Sequence, residues 1–172
     1  GADGRWTRIP LGEGEQGERA VSGYAGSGNV AIGRTVDDPC AFLAAIEPFH
    51  GNKLAIYTRT AGSGLTGSTW ERQVIETFGE LNDHGEGPAH HVVCADFDGD
   101  GNDEFLVALR GPEPVQGVVY YKPIDLAAGK FERVHVAHAS AARIAVADFT
   151  GDGRLDFATI GYDVPGYFEC EH

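Results

Sequence analysis

A short run of alternating carboxylates constrains this chain more than any other feature. The run reads DFDGDGNDE, from Asp96 to Glu104. Acids at its first, third and fifth positions direct oxygens to the inside of a tight loop, and a glycine at the sixth position allows the sharp turn. Ca²⁺ takes about six to eight oxygen ligands, so such a loop is suited to it. The predicted ligands are Asp96, Asp98, Asp100, Glu104 and the backbone carbonyl of Asn102.

The residues on either side of this loop predict strands. Residues 92–95 and 105–109 are short apolar runs bounded by Asp or Gly, which is typical of buried strands. The closing acid stands at the ninth position of the loop, whereas an EF-hand has it at the twelfth. The loop therefore joins two strands of one sheet and is not an EF-hand.

A second copy of the loop begins 52 residues further along the chain. Its predicted ligands are Asp148, Asp152 and Asp156, and Thr150 replaces the second acid. With one carboxylate fewer, this copy should bind Ca²⁺ more weakly. The paired loops resemble the calcium loops of FG-GAP, integrin-like β-propeller repeats. The alternative for both copies is an acidic turn that binds no metal.

A longer repeat predicts the architecture. An aromatic-x-Arg pattern begins at Trp6, Trp70 and Phe131. Between these points, strands are expected at 29–33, 40–47, 53–58, 70–77, 91–95, 105–110, 118–122, 131–137, 143–147 and 157–160. Four-strand units with a period near sixty and no helices predict an all-β fold, part of a β-propeller of four-stranded antiparallel blades.

The repeat also divides the chain. We expect about two and a half blades in residues 1–172: the last strand of a preceding blade in 1–12, full blades in 29–77 and 90–137, and the first half of a blade in 143–172. Propellers close with about four to eight blades, so the chain is expected to be part of a larger propeller.

Charge and composition narrow the range of partners. The net charge is −13 and no basic stripe occurs, which disfavours nucleic acid. No run is apolar and long enough to span a membrane and no signal peptide is apparent, so a soluble stretch of unknown location is expected. The three cysteines are an odd number without a CxxC pair, which argues against a disulfide framework.

Several unusual polar residues converge if the blade pattern is correct. Loops between second and third strands share one end of a propeller with the connections between blades. This end would carry Glu47, His50 and His90, which are suitable ligands for an open site holding a divalent ion such as Zn²⁺ or Mg²⁺. Arg143 and Tyr162 would lie at the same end and suit a polyol or an oxyanion.

Four stretches of the chain resemble a particular propeller. VAIGR at 30–34, EPFHGN at 47–52, HHVVCAD at 90–96 and YDVPGYFE at 162–169 are similar to the propeller domain of the aldos-2-ulose dehydratase family. The resemblance implies a metal-dependent lyase acting on 1,5-anhydrofructose or a related aldos-2-ulose, with a seven-bladed propeller and cupin modules. It also implies as partners a small sugar, the rest of the propeller and cupin domains, with a homodimer left open. Nothing in this chain resembles a cupin.

Dehydration of a keto sugar suggests further roles. A base must remove the proton next to the carbonyl, and an acid must protonate the leaving hydroxyl. His91 or His84 is the candidate acid or base, and Arg143 or Tyr162 would orient the sugar. A divalent ion would stabilise the enediolate. The alternative is a calcium-stabilised carbohydrate- or protein-binding propeller without catalysis.

Overall fold

The computed structural model describes residues 4–15, 25–62, 67–83, 85–111 and 113–161. In these ranges the chain forms β-strands and no helix. The strands are β1 (Asn29–Thr35), β2 (Asp38–Glu47), β3 (Lys53–Ala61), β4 (Thr69–Thr77), β5 (Ala89–Ala95), β6 (Glu104–Leu109), β7 (Gly117–Asp125), β8 (Lys130–Ala137), β9 (Arg143–Ala147) and β10 (Asp156–Ile160).

Each sheet is a simple meander. The first sheet has the order β1-β2-β3-β4, the second β5-β6-β7-β8, and the third pairs β9 with β10. Every pairing is antiparallel. The sheets are two four-stranded blades and the first half of another, which confirms an all-β fold that is part of a β-propeller.

The pleat of β2 divides the core between the two faces of the first blade. Phe42, Ala44 and Ile46 face the second blade, where they join a buried cluster with Phe105 and Val107. The intervening residues of β2 belong to another cluster, with Tyr57, on the opposite face. Both faces of β2 are buried, so neither face is in contact with water. Its sequence is therefore a continuous apolar run and not an alternating one.

The ends of the chain are described less fully. The structure has no strand in residues 4–14, although Gly12 lies directly against the ring of Tyr57. A strand needs a hydrogen-bonded neighbour, and the predicted strand in 1–12 would pair with a blade outside this sequence. The division of residues 1–172 into blades remains a prediction at both ends, since 162–172 lie outside the described residues.

A membrane-spanning helix is not found in the described part of the chain.

Candidate functional site

The two ends of the blades carry different groups of polar residues. At one end, a small cavity of about 40 Å³ is lined by Gly28, Ile46, Phe49, His50, Ala89, His90 and Arg143. At the other end, a cleft of about 220 Å³ runs beside the first acidic loop. The meander order separates them, because successive hairpin turns lie at opposite ends of a blade.

His50 is held rigidly in the turn after β2. Its backbone has a φ of 52°, in the left-handed region that non-glycine residues rarely adopt. The imidazole stacks on Phe49, with ring centroids 4.1 Å apart. Its Nδ1 lies 3.3 Å from Oε1 of Glu86. These contacts fix the ring at the rim of the cavity.

His90 enters the cavity because β5 contains a bulge. The register with β6 shifts between Ala89 and His91, which leaves His90 as the extra residue, and such bulges re-aim side chains. Its Nδ1 lies 2.8 Å from the carbonyl of Ala142. The same Nδ1 lies 2.9 Å from Nη1 of Arg143. A carbonyl only accepts and a guanidinium only donates, so these two contacts favour opposite tautomers of His90. The rings of His50 and His90 are 5.1 Å apart.

The surroundings of His90 keep it neutral. Burial, together with the charges of Arg110, Arg143 and His50, lowers the pKa of His90 to about 4. The Ala142 carbonyl acts in the opposite direction but is outweighed. At neutral pH this imidazole is therefore unprotonated.

Two buried charges near the histidines were missed by the sequence analysis. Glu86 and Arg110 are 1% and 2% exposed, and their side chains lie 3.7 Å apart. Arg110 also donates to the carbonyl of Gly87, while Ser140 donates to the carbonyl of Arg110. Charged side chains are rarely this buried unless they are paired. The sequence of a loop does not show which of its side chains are buried, so these two residues were not predicted.

The structure does not bring Glu47 together with His50 and His90. Glu47 is fully buried, and its side chain lies on the opposite face of the first blade. There it accepts hydrogen bonds from Ser27, Tyr57 and Arg72. Successive side chains of β2 point to opposite faces of the sheet. Glu47 therefore lies on the same face as Leu43 and Ala45, which is not the face of the cavity.

The other predicted catalytic residues occupy different positions. Arg143, at the start of β9, lines the cavity, and its Nη1 lies 3.3 Å from the carbonyl oxygen of His90. His91 takes part in blade packing: its Nδ1 accepts a hydrogen bond from the backbone of Ile144, and burial lowers its pKa. His84 and Tyr162 lie outside the described residues.

The first acidic loop has the geometry of a cation site. Asp96, Asp98 and Glu104 each offer a carboxylate oxygen within 4.8 Å of the others. Oxygen ligands lie about 2.3–2.6 Å from Ca²⁺, so two ligands of one ion are separated by up to about 5 Å. Asp96 is oriented by the N–H groups of Gly99 and Gly101, both at positive φ. The chemistry of this donor set fits Ca²⁺.

Two predicted ligands of this loop make other contacts. Asp100 accepts hydrogen bonds from the backbone and side chain of Asn102. The side-chain oxygen of Asn102 accepts from the backbone of Val36 in the first blade. Asp100 is not one of the three grouped carboxylates, and the contact of Asn102 uses its side chain and not the backbone carbonyl that was predicted to bind Ca²⁺.

A lysine ammonium lies among these carboxylates. Nζ of Lys122 in β7 makes a short contact with Asp98, is 2.9 Å from Asp100 and is 3.7 Å from Glu104. These contacts with Asp100 and Asp98 raise the pKa of Lys122. Burial raises the pKa of Glu104, which is 1% exposed.

The second acidic loop repeats the turn but not the cluster. Asp148 accepts from the backbone of Gly151, Asp152 and Gly153, and Asp156 accepts from that of Phe149 and Thr150. Its three acids, all in the described part of the chain, do not form a group in which every pair of ligand oxygens lies within 4.8 Å. Thr150 stands where the first loop has Asp98, the central carboxylate of the three.

Comparison with known proteins agrees with this architecture. The family model of the aldos-2-ulose dehydratase β-propeller domain matches residues 2–60. A protein of Phanerodontia chrysosporium named aldos-2-ulose dehydratase is 46% identical over 96% of the chain. The chain resembles the β-propeller of aldos-2-ulose dehydratase. It spans only 19% of that dehydratase, about a fifth of the relative's length.

Proposed function

We propose that this chain is the propeller part of a dehydratase that eliminates water from a 2-keto sugar, either 1,5-anhydrofructose or a related aldos-2-ulose. The observation that carries the proposal is the pair of imidazoles at 5.1 Å, beside Arg143, in a chain 46% identical to an aldos-2-ulose dehydratase. A calcium-stabilised binding propeller would need no such pair.

The two histidines would carry out opposite proton transfers. His90 is uncharged at neutral pH, so it is the base that removes the proton next to the carbonyl. The Nδ1 of His50 lies 3.3 Å from the carboxylate of Glu86, and its ring lies 5.1 Å from that of His90, so His50 is the acid that protonates the leaving hydroxyl. Pairing two groups with different environments is a common way to separate acid and base roles.

Arg143 supplies positive charge beside the base. Removing the proton produces an enolate, and a guanidinium at the cavity rim would stabilise its oxygen. The cavity of about 40 Å³ holds the reacting groups, and the rest of the sugar would lie over its opening.

The predicted catalytic ion does not fit these residues. Glu47 is turned away from the cavity, and no group of three ligands that includes His50 or His90 occurs among the described residues. Zinc sites in enzymes use about three protein ligands. The proton transfers of the proposed reaction are therefore assigned to side chains alone.

We also propose Ca²⁺ as a structural ion of the first acidic loop. Asp96, Asp98 and Glu104 would hold it, and its charge would offset theirs. The second loop, with Asp148, Asp152 and Asp156, would bind it more weakly. Both loops belong to the end of the blades remote from His50 and His90.

The test of function is a pair of substitutions in the full-length protein. His90→Gln removes the base, and His50→Gln removes the acid. Each should lower kcat for dehydration of 1,5-anhydrofructose by about 10²–10⁴-fold, the usual contribution of a general acid or base. Formation of the conjugated enone is followed by ultraviolet absorbance.

His138→Gln is the matched control, because His138 is exposed and lies after β8, outside the cavity lining. It should leave kcat unchanged. If both cavity variants keep the wild-type kcat, the cavity is not the active site. If the wild type binds the sugar without converting it, the binding propeller is the correct function.

A further inference from the structure

The first acidic loop contains a cation that the sequence analysis did not assign. The ammonium of Lys122 contacts Asp98 and Asp100 and lies 3.7 Å from Glu104. Asp98 and Glu104 are two of the three carboxylates that form the candidate Ca²⁺ site. The lysine and the metal therefore use the same oxygens.

An ammonium and a calcium ion cannot share this position. Oxygen atoms lie about 2.3–2.6 Å from Ca²⁺ and about 2.7–2.9 Å from a charged nitrogen donor. Both cations would fill the same space between Asp98 and Glu104. Their like charges would also repel each other strongly at such short distance.

The first blade has a comparable ion pair between a cationic side chain and an acid, and no metal would compete for it. Arg59 in β3 contacts Asp38 at the start of β2, just as Lys122 in β7 contacts the loop before β6. Arg59 is also fixed by a hydrogen bond to the carbonyl of Cys40 and by packing over Trp70. The first-blade hairpin lacks the alternating acids, so its cation has no metal to replace it.

Unlike the guanidinium of Arg59, the ammonium of Lys122 can move away from the carboxylates. Its side chain is 27% exposed and rests at the wall of the 220 Å³ cleft, beside Pro123 and Ile124. Its ammonium lies on carboxylates that also suit a divalent ion. A lysine side chain can turn its head into water while its aliphatic part stays on apolar surface.

We propose that Lys122 is the resident cation of the first acidic loop and that Ca²⁺ binds by displacing its ammonium. This inference rests on the proposed calcium site. Lys122 holds the loop together at low calcium, and it sets the affinity by competing for Asp98 and Glu104. The loop then keeps its shape in both states, with a different cation in each.

The test compares Lys122→Gln with the wild type by calcium titration calorimetry. The variant should bind Ca²⁺ about three- to tenfold more tightly, because the metal no longer has to displace an ammonium whose exposed ion pairs are weak. In excess chelator the same variant should have a lower Tm, because the carboxylates then repel each other without a counter-ion. Terbium emission excited through Tyr120, whose ring is 6.4 Å from that of Phe97, is a second readout at this loop.

Two further variants control for charge and folding. Lys130→Gln makes the same charge change at an exposed position in β8 and should alter neither quantity. Lys122→Arg retains a cation and should not tighten calcium binding. If the wild type binds Ca²⁺ and Lys122→Gln binds no more tightly, the displacement is disproved while the calcium site stands. If neither protein binds Ca²⁺, the calcium site itself is disproved, and displacement with it.

Discussion

The acid that accompanies the histidines is Glu86, not the Glu47 that sequence proximity suggests. Glu47 lies three residues before His50, yet the pleat of β2 sends its side chain to the opposite face. Glu86 lies 36 residues away from His50 along the chain, and the connection between blades brings it to 3.3 Å. Proximity along a strand is a poor guide here because adjacent residues face opposite sides.

The neutral state of His90 predicts a dependence of stability on pH. Its pKa is lowered from 6.5 to about 4 in the folded protein. Between these values the unfolded chain binds more protons than the folded one, so the free energy of unfolding falls as pH is lowered from about 7 towards 4. His90→Gln should reduce this loss. Urea unfolding at several pH values measures it, and equal slopes for wild type and variant would contradict the prediction.

Between elements, the aromatic-x-Arg pattern corresponds to a repeated contact. In two of its three copies the arginine, Arg72 or Arg133, lies opposite a tyrosine of the neighbouring strand, Tyr57 or Tyr121 respectively. Each Tyr–Arg pair binds a carboxylate. In the first blade that carboxylate is Glu47.

In the second blade, Tyr121 and Arg133 bind Glu76, which belongs to β4 of the first blade. The repeat thus explains how one blade is attached to the next. Burial and this carboxylate together raise the pKa of Tyr121, so the phenol remains protonated and donates the hydrogen bond.

Glu76→Gln tests this attachment. The variant loses the ion pair with Arg133 and weakens the bond from Tyr121, so the free energy of unfolding should fall by about 1–2 kcal/mol, allowing for the partly exposed guanidinium. Glu71→Gln is the matched control, because it is the same change at an exposed position of β4. Denaturant unfolding measures both, and equal stabilities for the two variants would disprove a role for Glu76 between blades.

Across the whole molecule, the first acidic loop also contacts the neighbouring blade. Asp103 binds the backbone and guanidinium of Arg34, and its own N–H donates to the carbonyl of Arg34. Asn102 accepts from Val36 in the same hairpin. Changes in this loop should therefore be transmitted to the packing of the two blades.

Removal of calcium should lower the Tm of the protein if the first loop binds the ion. A ligand that binds only the folded state raises the free energy of unfolding. The increase is about 2.7 kcal/mol when the ligand concentration is a hundred times Kd. The measurement is thermal unfolding with added Ca²⁺ and with chelator. Asp96→Asn should abolish the difference, and an unchanged Tm on chelation would disprove a structural calcium ion.

The sequence by itself determined the features that repeat. The apolar runs, the turn residues and the two acidic loops are local, and they were enough to predict the strands and the blade architecture. The similarity to the dehydratase propeller was also predicted, because the stretches that carry it are contiguous.

Only the tertiary structure decided which side chains meet. It separated Glu47 from His50, placed Glu86 and Arg110 near the cavity, and brought Lys122 to Asp98 from a strand of the same sheet. The bulge that aims His90 depends on its pairing with β6. The physical reason is that strand register, side-chain burial and the face that a side chain takes are set by long-range pairing and packing. A local pattern of residue types does not specify these.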